Sequence, residues 1–314
     1  MGNDTKLLIV GCGELGSRHL QAVAALSDIR EIHIVDHRKE ALELGKTRLK
    51  EIADLNPEIK LYWHTELNKE VVGGELCIVS TQAAGRCALI KNIAAHLGYK
   101  KFLIEKIVSQ SVAEYKDLMD FATQNNLQIW VNCKTRAYGI HKYIKSKLDP
   151  LDPIIFTRTA GNLGLATNGI HTADLFNFYD GGSHIYSVAT RIDEIVQKTK
   201  RGQYDVSGAL YGTTDKGSDL VISFSGNHES PDIISIVSRR GRFIVDHFQR
   251  WAQMSVEETN WKWQALQIEE DWMVSTMTKT FVRDILIHGY CTLPTLTECF
   301  PAHEIILSQL LPHF

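Results

Sequence analysis

The sequence predicts an α/β protein in two parts. A doubly wound parallel sheet occupies the amino-terminal part, and an α+β domain built on an open-faced, mostly antiparallel sheet follows it. Three observations predict this. Six short apolar runs alternate with helical stretches up to Asn132, the pattern that lays strands parallel with crossover helices between them. Beyond Asn132 the strand-like runs follow one another directly, with Asp215-Lys216-Gly217 and Arg240-Gly241 as turns between neighbours. The length of 314 residues also exceeds that of a usual single domain. The boundary falls at Cys133, giving domains 1–132 and 133–314.

Each element has its own local reason. Lys6-Leu7-Leu8-Ile9-Val10 is the continuous apolar run of a strand buried on both faces. Gly11-Cys12-Gly13-Glu14-Leu15-Gly16 follows at once, and Leu15, Leu20, Val23, Ala24 and Leu26 mark the apolar face of a helix over 14–26. Residues 32–35 form the next strand and end in Asp36; a helix over 39–53 is closed by Asn56-Pro57. Strands at 61–63, 76–80, 102–104 and 127–131 complete the first sheet, with helices over 84–97 and 111–125 between them. Ser111 caps the latter, with Glu114 completing a capping box. In the second part a strand at 154–159 precedes a helix over 171–179, closed by Asp180-Gly181-Gly182. Alternating runs at 185–192, 209–213, 220–225, 233–238 and 243–246 follow, then helices over 273–288 and 297–310.

Strand, G-x-G-x-x-G, helix, strand and acid occur in the order that a dinucleotide site requires. Gly11 permits the tight turn, Gly13 lets a pyrophosphate approach the backbone, and Gly16 lets the helix pack close to the sheet. The phosphates would rest on the free N–H groups and positive dipole end of that helix. Asp36 stands where a carboxylate binds both ribose hydroxyls and repels a 2′-phosphate, so NAD is expected ahead of NADP. Arg38, just past the acid, is the residue that would serve a phosphate. Ligands of such a sheet lie beyond the carboxyl ends of its strands, where Thr81, Gln82, Glu105 and Asn132 fall. The expected cofactor contacts are therefore Gly11, Gly13, Glu14, Leu15, Gly16, Asp36, Arg38, Thr81, Gln82 and Glu105.

Composition narrows the class. Apolar residues make up 44% of the chain and charged residues 23%, as in ordinary globular proteins. Lys and Arg number 34 against 37 Asp and Glu, a net charge of −3, so no general electrostatic case exists for nucleic-acid or membrane binding. No apolar run approaches the length of a membrane span, and with the first strand at about Lys6 no cleaved leader is expected. The six cysteines show no C-x-x-C or zinc-like spacing, no metal is expected, and a reducing cytoplasm fits. The basic run 198–201 reads as a solvated loop. Four of six tryptophans, Trp251, Trp261, Trp263 and Trp272, share one stretch, where packing is a simpler role than stacking on a sugar.

The glycine fingerprint, Glu105-Lys106, and Gly169-Ile170-His171-Thr172-Ala173-Asp174 with Gly181 downstream together resemble the Gfo/Idh/MocA oxidoreductases, the family of glucose–fructose oxidoreductase and inositol dehydrogenase. The resemblance covers nearly the whole chain. It implies an amino-terminal Rossmann domain, a carboxyl-terminal open-faced sheet that often forms an oligomer interface, and hydride transfer between NAD(P) and a hydroxyl of a sugar, polyol or sugar derivative. Lys106 matches the lysine of the family's E-K-P motif, which contacts the reacting hydroxyl. Glu105 matches its glutamate near the nicotinamide, His171 the catalytic histidine, and Asp174 an aspartate one turn later. Three positions depart from the family pattern: Ile107 replaces the motif's proline, Thr167 an aspartate four residues before the histidine, and Arg86 a common histidine.

Oxidising an alcohol needs a base for the hydroxyl proton while hydride leaves carbon. Lys106 suits that role if its environment lowers its pKa, and a neutral His171 near a helix start can exchange a proton. Asn132, Arg136, Tyr138, Thr167, Asn168 and Asp174 are the candidate substrate contacts. The leading reading is a cytoplasmic NAD-dependent oxidoreductase acting on a sugar, sugar acid, polyol or nucleotide-linked sugar, assembled as a homodimer or homotetramer. Two others stand beside it: an NAD-retaining enzyme that uses transient oxidation for elimination or glycoside hydrolysis, and a non-catalytic dinucleotide-binding regulator.

Overall fold

The computed structural model describes residues 5–198 and 204–313, so residues 199–201 of the basic run lie outside the described residues. The chain divides into two compact units. Residues 1–132 and 271–297 form the first, and residues 133–270 and 298–314 form the second.

The first unit is a six-stranded parallel sheet in the order β3-β2-β1-β4-β5-β6. In chain order its elements are β1 (Thr5–Val10), α1 (Gly16–Ala24), β2 (Ile29–Val35), α2 (Lys39–Leu49), β3 (Lys60–His64), β4 (Leu76–Val79), α3 (Arg86–Asn92), β5 (Lys101–Ile104), α4 (Val112–Gln124) and β6 (Gln128–Val131). The central strands are buried on both faces: Leu7, Leu8, Ile9, Leu76, Cys77 and Phe102 are fully enclosed. The order reverses between β1 and β4, and there the crevice of a doubly wound sheet opens at the strand ends. The cap of α4 forms as its sequence implies. Glu114 N–H donates to Ser111 Oγ (3.1 Å), although the Glu114 carboxylate reaches back to Gln110 N–H (3.2 Å), one residue earlier than a strict capping box.

The second unit adds α5 (Gly139–Lys147), β7 (Ile155–Gly161), α6 (Ile170–Asp180), β8 (Tyr186–Lys198), β9 (Tyr204–Thr213), β10 (Asp219–Ser225), β11 (Ile233–Val237), β12 (Gly241–Asp246), β13 (Trp251–Val256) and β14 (Gln264–Gln267). Its sheet runs β14-β13-β12-β11-β7-β10-β9-β8, antiparallel except where β10 lies parallel to β7. Period-two burial sets its inner face: Leu220, Ile222 and Phe224 of β10 and Ile234 and Ile236 of β11 point to the core. On β8 and β9, Tyr186, Val188, Tyr204 and Tyr211 are exposed. The tryptophan-rich stretch contributes β13 and β14, which the sequence reading leaves unassigned. The Arg242 guanidinium carbon lies 5.3 and 5.2 Å from the ring centres of Trp261 and Trp263, and both rings remain exposed.

Two helices close the chain, α7 (Val274–His288) and α8 (Leu296–Leu310). The sequence groups both with the second part, but α7 belongs to the first unit, where it packs on α1. Its apolar stripe of Phe281, Val282 and Ile285 is buried. Residues 293–296 also join the first unit: Val131 N–H donates to Pro294 C=O (2.9 Å), and Tyr115 OH donates to Leu296 C=O (2.8 Å). A helix is assigned by where its apolar face is covered, which lies outside its own sequence. Phe281→Ala should therefore destabilise the first unit by about 3 kcal/mol, the ordinary cost of an emptied aromatic site; urea unfolding measures this.

Candidate functional site

In the first unit the candidate residues converge on the carboxyl ends of β1, β2, β4, β5 and β6. The chain leaves β1 through Gly11 at φ +90°, and a Cβ there would press on the Ser80 carbonyl carbon at 3.0 Å. A Cβ on Gly16 would overlap the Gly11 carbonyl oxygen, so the entry of α1 passes over the strand end only without side chains at both positions. Ser17 N–H and Oγ both bond Gly13 C=O, at 3.0 and 2.7 Å, which closes the turn. Arg48 of α2 braces it from outside, donating to Glu14 C=O (2.7 Å) and to Ser17 Oγ (2.6 Å) and pairing with the Glu14 carboxylate. Glu14 is exposed and Leu15 half-buried.

Asp36 ends β2 in a buried position. Its Oδ2 accepts from Cys12 N–H (2.8 Å) and its Oδ1 from Arg38 N–H (3.0 Å). Burial raises its pKa, but the bonds from Arg38 and Cys12 and the charge of Arg38 outweigh that and hold the carboxyl below its ordinary value. Arg38 Nε lies 3.4 Å from Oδ1, and a Cβ on Gly13 would come within 3.0 Å of Arg38 Nη2. Arg38 therefore stands over the glycine turn and beside the acid together. At the end of β4, Gln82 is exposed, while Thr81 Oγ1 is buried without a hydrogen-bond partner among the described residues. The bare turn and this orphaned oxygen fit a dinucleotide.

Glu105 follows β5 and is buried. Its Oε1 accepts from Asn132 Nδ2 (2.6 Å) and from His19 Nε2 (2.9 Å), and His19 Nδ1 bonds Thr278 Oγ1 of α7 (2.8 Å). Desolvation pushes the Glu105 pKa up, but the His19 bond and charge, the Asn132 bond and the charge of Lys106 together hold it below its ordinary value. Asn132 Oδ1 is buried and without a partner among the described residues, a second orphaned acceptor at this edge. Lys106 is half-buried, next to Glu105. The peptide between Lys106 and Ile107 is cis. Arg86 donates to the carbonyls of Thr81, Glu105 and Ile107.

In the second unit, Thr167 and Asn168 lie in the single wide turn that leads into α6, and His171 is the second residue of that helix. A carboxylate reaches Thr167 from outside the motif. Asp205 of β9, buried, accepts from Ala166 N–H (2.9 Å), Thr167 N–H (3.0 Å) and Thr167 Oγ1 (2.5 Å), an anion at the positive end of a helix. Asn168 Nδ2 donates to Thr167 Oγ1 (3.1 Å). Arg136 and Asp174 hold each other: Nε and Nη2 of the guanidinium reach the carboxylate at 2.8 and 2.5 Å in full burial. Burial lowers the guanidinium pKa, but the Asp174 charge and bonds outweigh that and hold it above its ordinary value. Cys133, Asp174 and Cys299 bring ligand-type atoms within 4.8 Å of one another, with that carboxylate already engaged by Arg136. Tyr138 is buried, its phenol pushed up to about 12 by burial, and it stacks on His141 at 5.9 Å.

Sequence reasoning missed several members. His141 Nε2 and His247 Nε2 bond at 2.8 Å; Asp232 lies 3.5 Å from His247 and pairs with Arg158 at 2.9 Å, and Arg158 donates to Thr172 Oγ1 at 3.0 Å. Burial drives the His141 pKa down, keeping its ring neutral. No local pattern marks these residues or Asp205. His19 did carry a signal, a polar side chain on the buried face of α1. Lys106 belongs to the first unit and His171 to the second.

No family model and no curated protein sequence matches the chain. Solved structures match over nearly its whole length. An oxidoreductase from Agrobacterium radiobacter, in complex with NAD+, L-tartaric acid and magnesium, has a TM-score of 0.75 at 13% identity, covering 96% of this chain and 94% of its own. UDP-N-acetylglucosamine 3-dehydrogenase GnnA from Acidithiobacillus ferrooxidans has a TM-score of 0.74 at 15% identity, covering 98% and 96%. A super-repressor mutant of Gal80p from Saccharomyces cerevisiae has 0.74 at 13%, covering 97% and 94%. Identities this low establish the shared fold: a parallel dinucleotide-type sheet joined to a largely antiparallel one.

The Glu105 pairing predicts a pH signature. Its folded pKa lies below the unfolded value of about 4.3, so its stabilisation is complete above that pH and is lost as pH falls through the folded value. Glu105→Gln should cost about 1–3 kcal/mol at pH 7, with the gap from wild type narrowing below about pH 4. Urea unfolding at both pH values checks this.

Proposed function

We propose that the chain is an NAD-dependent oxidoreductase that moves a hydride between the nicotinamide and a hydroxyl or keto carbon of a sugar, sugar acid, polyol or nucleotide-linked sugar. The observation that carries this is the glycine turn. Gly11 and Gly16 leave no room for side chains at the head of α1, and Asp36 is fixed beside them by Cys12 N–H. Backbone N–H groups at that head would hold the pyrophosphate, and the Asp36 carboxylate would hold the ribose hydroxyls. Thr81 Oγ1 and Asn132 Oδ1 supply acceptors at the strand ends. The likeness to an NAD+ complex and to a nucleotide-sugar dehydrogenase supports the reading.

NAD, when bound, supplies the hydride acceptor. The chain's own task is the proton. The Lys106 amine takes the proton of the reacting hydroxyl, and Glu105, bonded to His19 and Asn132, steadies the segment beside it. His171, at the start of α6, exchanges a proton with the substrate. Arg136 and Asp174 are committed to one another, so their role is to hold α6 in place. Exposed Tyr186, Val188, Tyr204 and Tyr211 on β8 and β9 support burial of this face between subunits of a homodimer or homotetramer.

Titration with both cofactors should show NAD binding more tightly than NADP, and Asp36→Ala should erase the difference. The opposite preference would assign Arg38 to a 2′-phosphate. On a substrate found by sugar screening, Lys106→Ala and His171→Ala should each lower turnover by about a hundred- to ten-thousandfold with NAD affinity nearly unchanged. The double variant should lose far less than the product. NAD binding without turnover on any sugar would favour a regulator, and turnover without net NADH would favour elimination or hydrolysis. Light scattering at micromolar concentration should give a mass above the monomer's.

A further inference from the structure

α3 begins at Arg86, which is 2% exposed. Its Nη1 donates to the carbonyls of Glu105 and Ile107, and its Nη2 donates to the carbonyl of Thr81. Glu105 and Ile107 are the two chain neighbours of Lys106. The guanidinium therefore grips the backbone on both sides of that lysine and ties it to the loop after β4. A planar fork of donors suits this, because it meets several carbonyls at fixed spacing, whereas an ammonium is a single rotating point.

The charge of Arg86 matters beside its geometry. Among the described residues, the ionisable groups that act on this segment include Glu105, His19, Cys87 and Lys106, with Glu114, Lys91 and Asp117 acting on Cys87. Burial pushes the Cys87 thiol up to about 11, so it stays neutral. Glu105 is ionised and favours a charged amine on Lys106; the Arg86 cation acts on that same carboxylate and offsets part of its charge. Burial lowers the Arg86 pKa only to about 10, so the cation persists at neutral pH.

We propose that Arg86 is a positioning residue for Lys106: it fixes the backbone on both sides of the lysine and offsets the Glu105 charge beside its amine. The proposal rests on the reading of Lys106 as the proton-handling group. The test is competitive labelling of the full chain with trace acetic anhydride across pH 6–11, with the Lys106 peptide quantified by mass spectrometry. Cofactor affinity and turnover are measured on the same samples. The wild-type midpoint of Lys106 reactivity is the reference for both variants. Arg86→Met should raise that midpoint by about one unit and lower kcat at least about tenfold, with NAD affinity unchanged. Arg86→Lys keeps the charge and loses the fork, so its midpoint should stay near wild type while kcat still falls. An Arg86→Met midpoint equal to that of the wild type, or native kcat in Arg86→Lys, would overturn the proposal. If Arg86→Met does not fold, the Arg86→Lys comparison decides alone. Labelling needs no substrate, so it is independent of the catalytic reading, which fails instead if Lys106→Ala keeps native turnover.

Discussion

The first unit is built around a carboxylate that has been taken out of water. Glu105 sits buried at the end of β5, and an ion in that position is tolerated only with donors arranged around it. Those donors come from distant parts of the chain. His19 lies on the helix that follows the glycine turn, Asn132 at the end of β6, and Thr278, which anchors His19 from behind, on α7. One charge thus joins the helix after the glycine turn, the end of the last strand of the sheet and a helix from far along the chain. The discontinuous make-up of the unit, residues 1–132 with 271–297, is what that arrangement demands.

The same economy of buried charge recurs in the second unit. Arg136 meets Asp174, Arg158 meets Asp232, and Asp205 spends its charge on the backbone N–H groups that open the turn into α6. Each pair fixes one side of the helix that carries His171. The Arg136 pair holds its second turn, the Arg158 bond to Thr172 holds its first, and Asp205 holds the turn before it through Thr167. Thr167 stands where the resembled family has an aspartate, and its hydroxyl donates to a carboxylate supplied by β9. Negative charge therefore stands at this helix start although the turn itself holds no acid.

How much of this could be read in advance depends on the range of the interaction involved. The six parallel strands, the glycine turn, Asp36 and the Ser111 cap follow from the sequence alone. Each depends on neighbours a few residues away: a continuous apolar run, a missing Cβ, a hydroxyl three residues before an N–H. The change to antiparallel strands after Asn132 was legible for the same reason, through turn residues between alternating runs. β13 and β14 were hidden because the tryptophans in and between them mimic a cluster of packing residues, and α5 because its apolar positions are few.

Tertiary structure alone decided the partners. Nothing local tells His19 from any other polar residue on a buried helix face until Glu105 and Thr278 arrive on either side of it. Arg86 reads as one residue within a helix over 84–97, and only the folded strand ends bring three carbonyls within its reach. Asp205 is one acid in a polar stretch until β9 pairs into the sheet and sets it against Thr167. Arg136 and Asp174 look from the sequence like groups open to a substrate, and in the fold they satisfy each other. Backbone conformation is governed by short-range sterics and hydrogen bonding, which a sequence carries openly. The state of a buried charge is governed by what folding brings within about 3 Å of it, and that is a property of the whole chain.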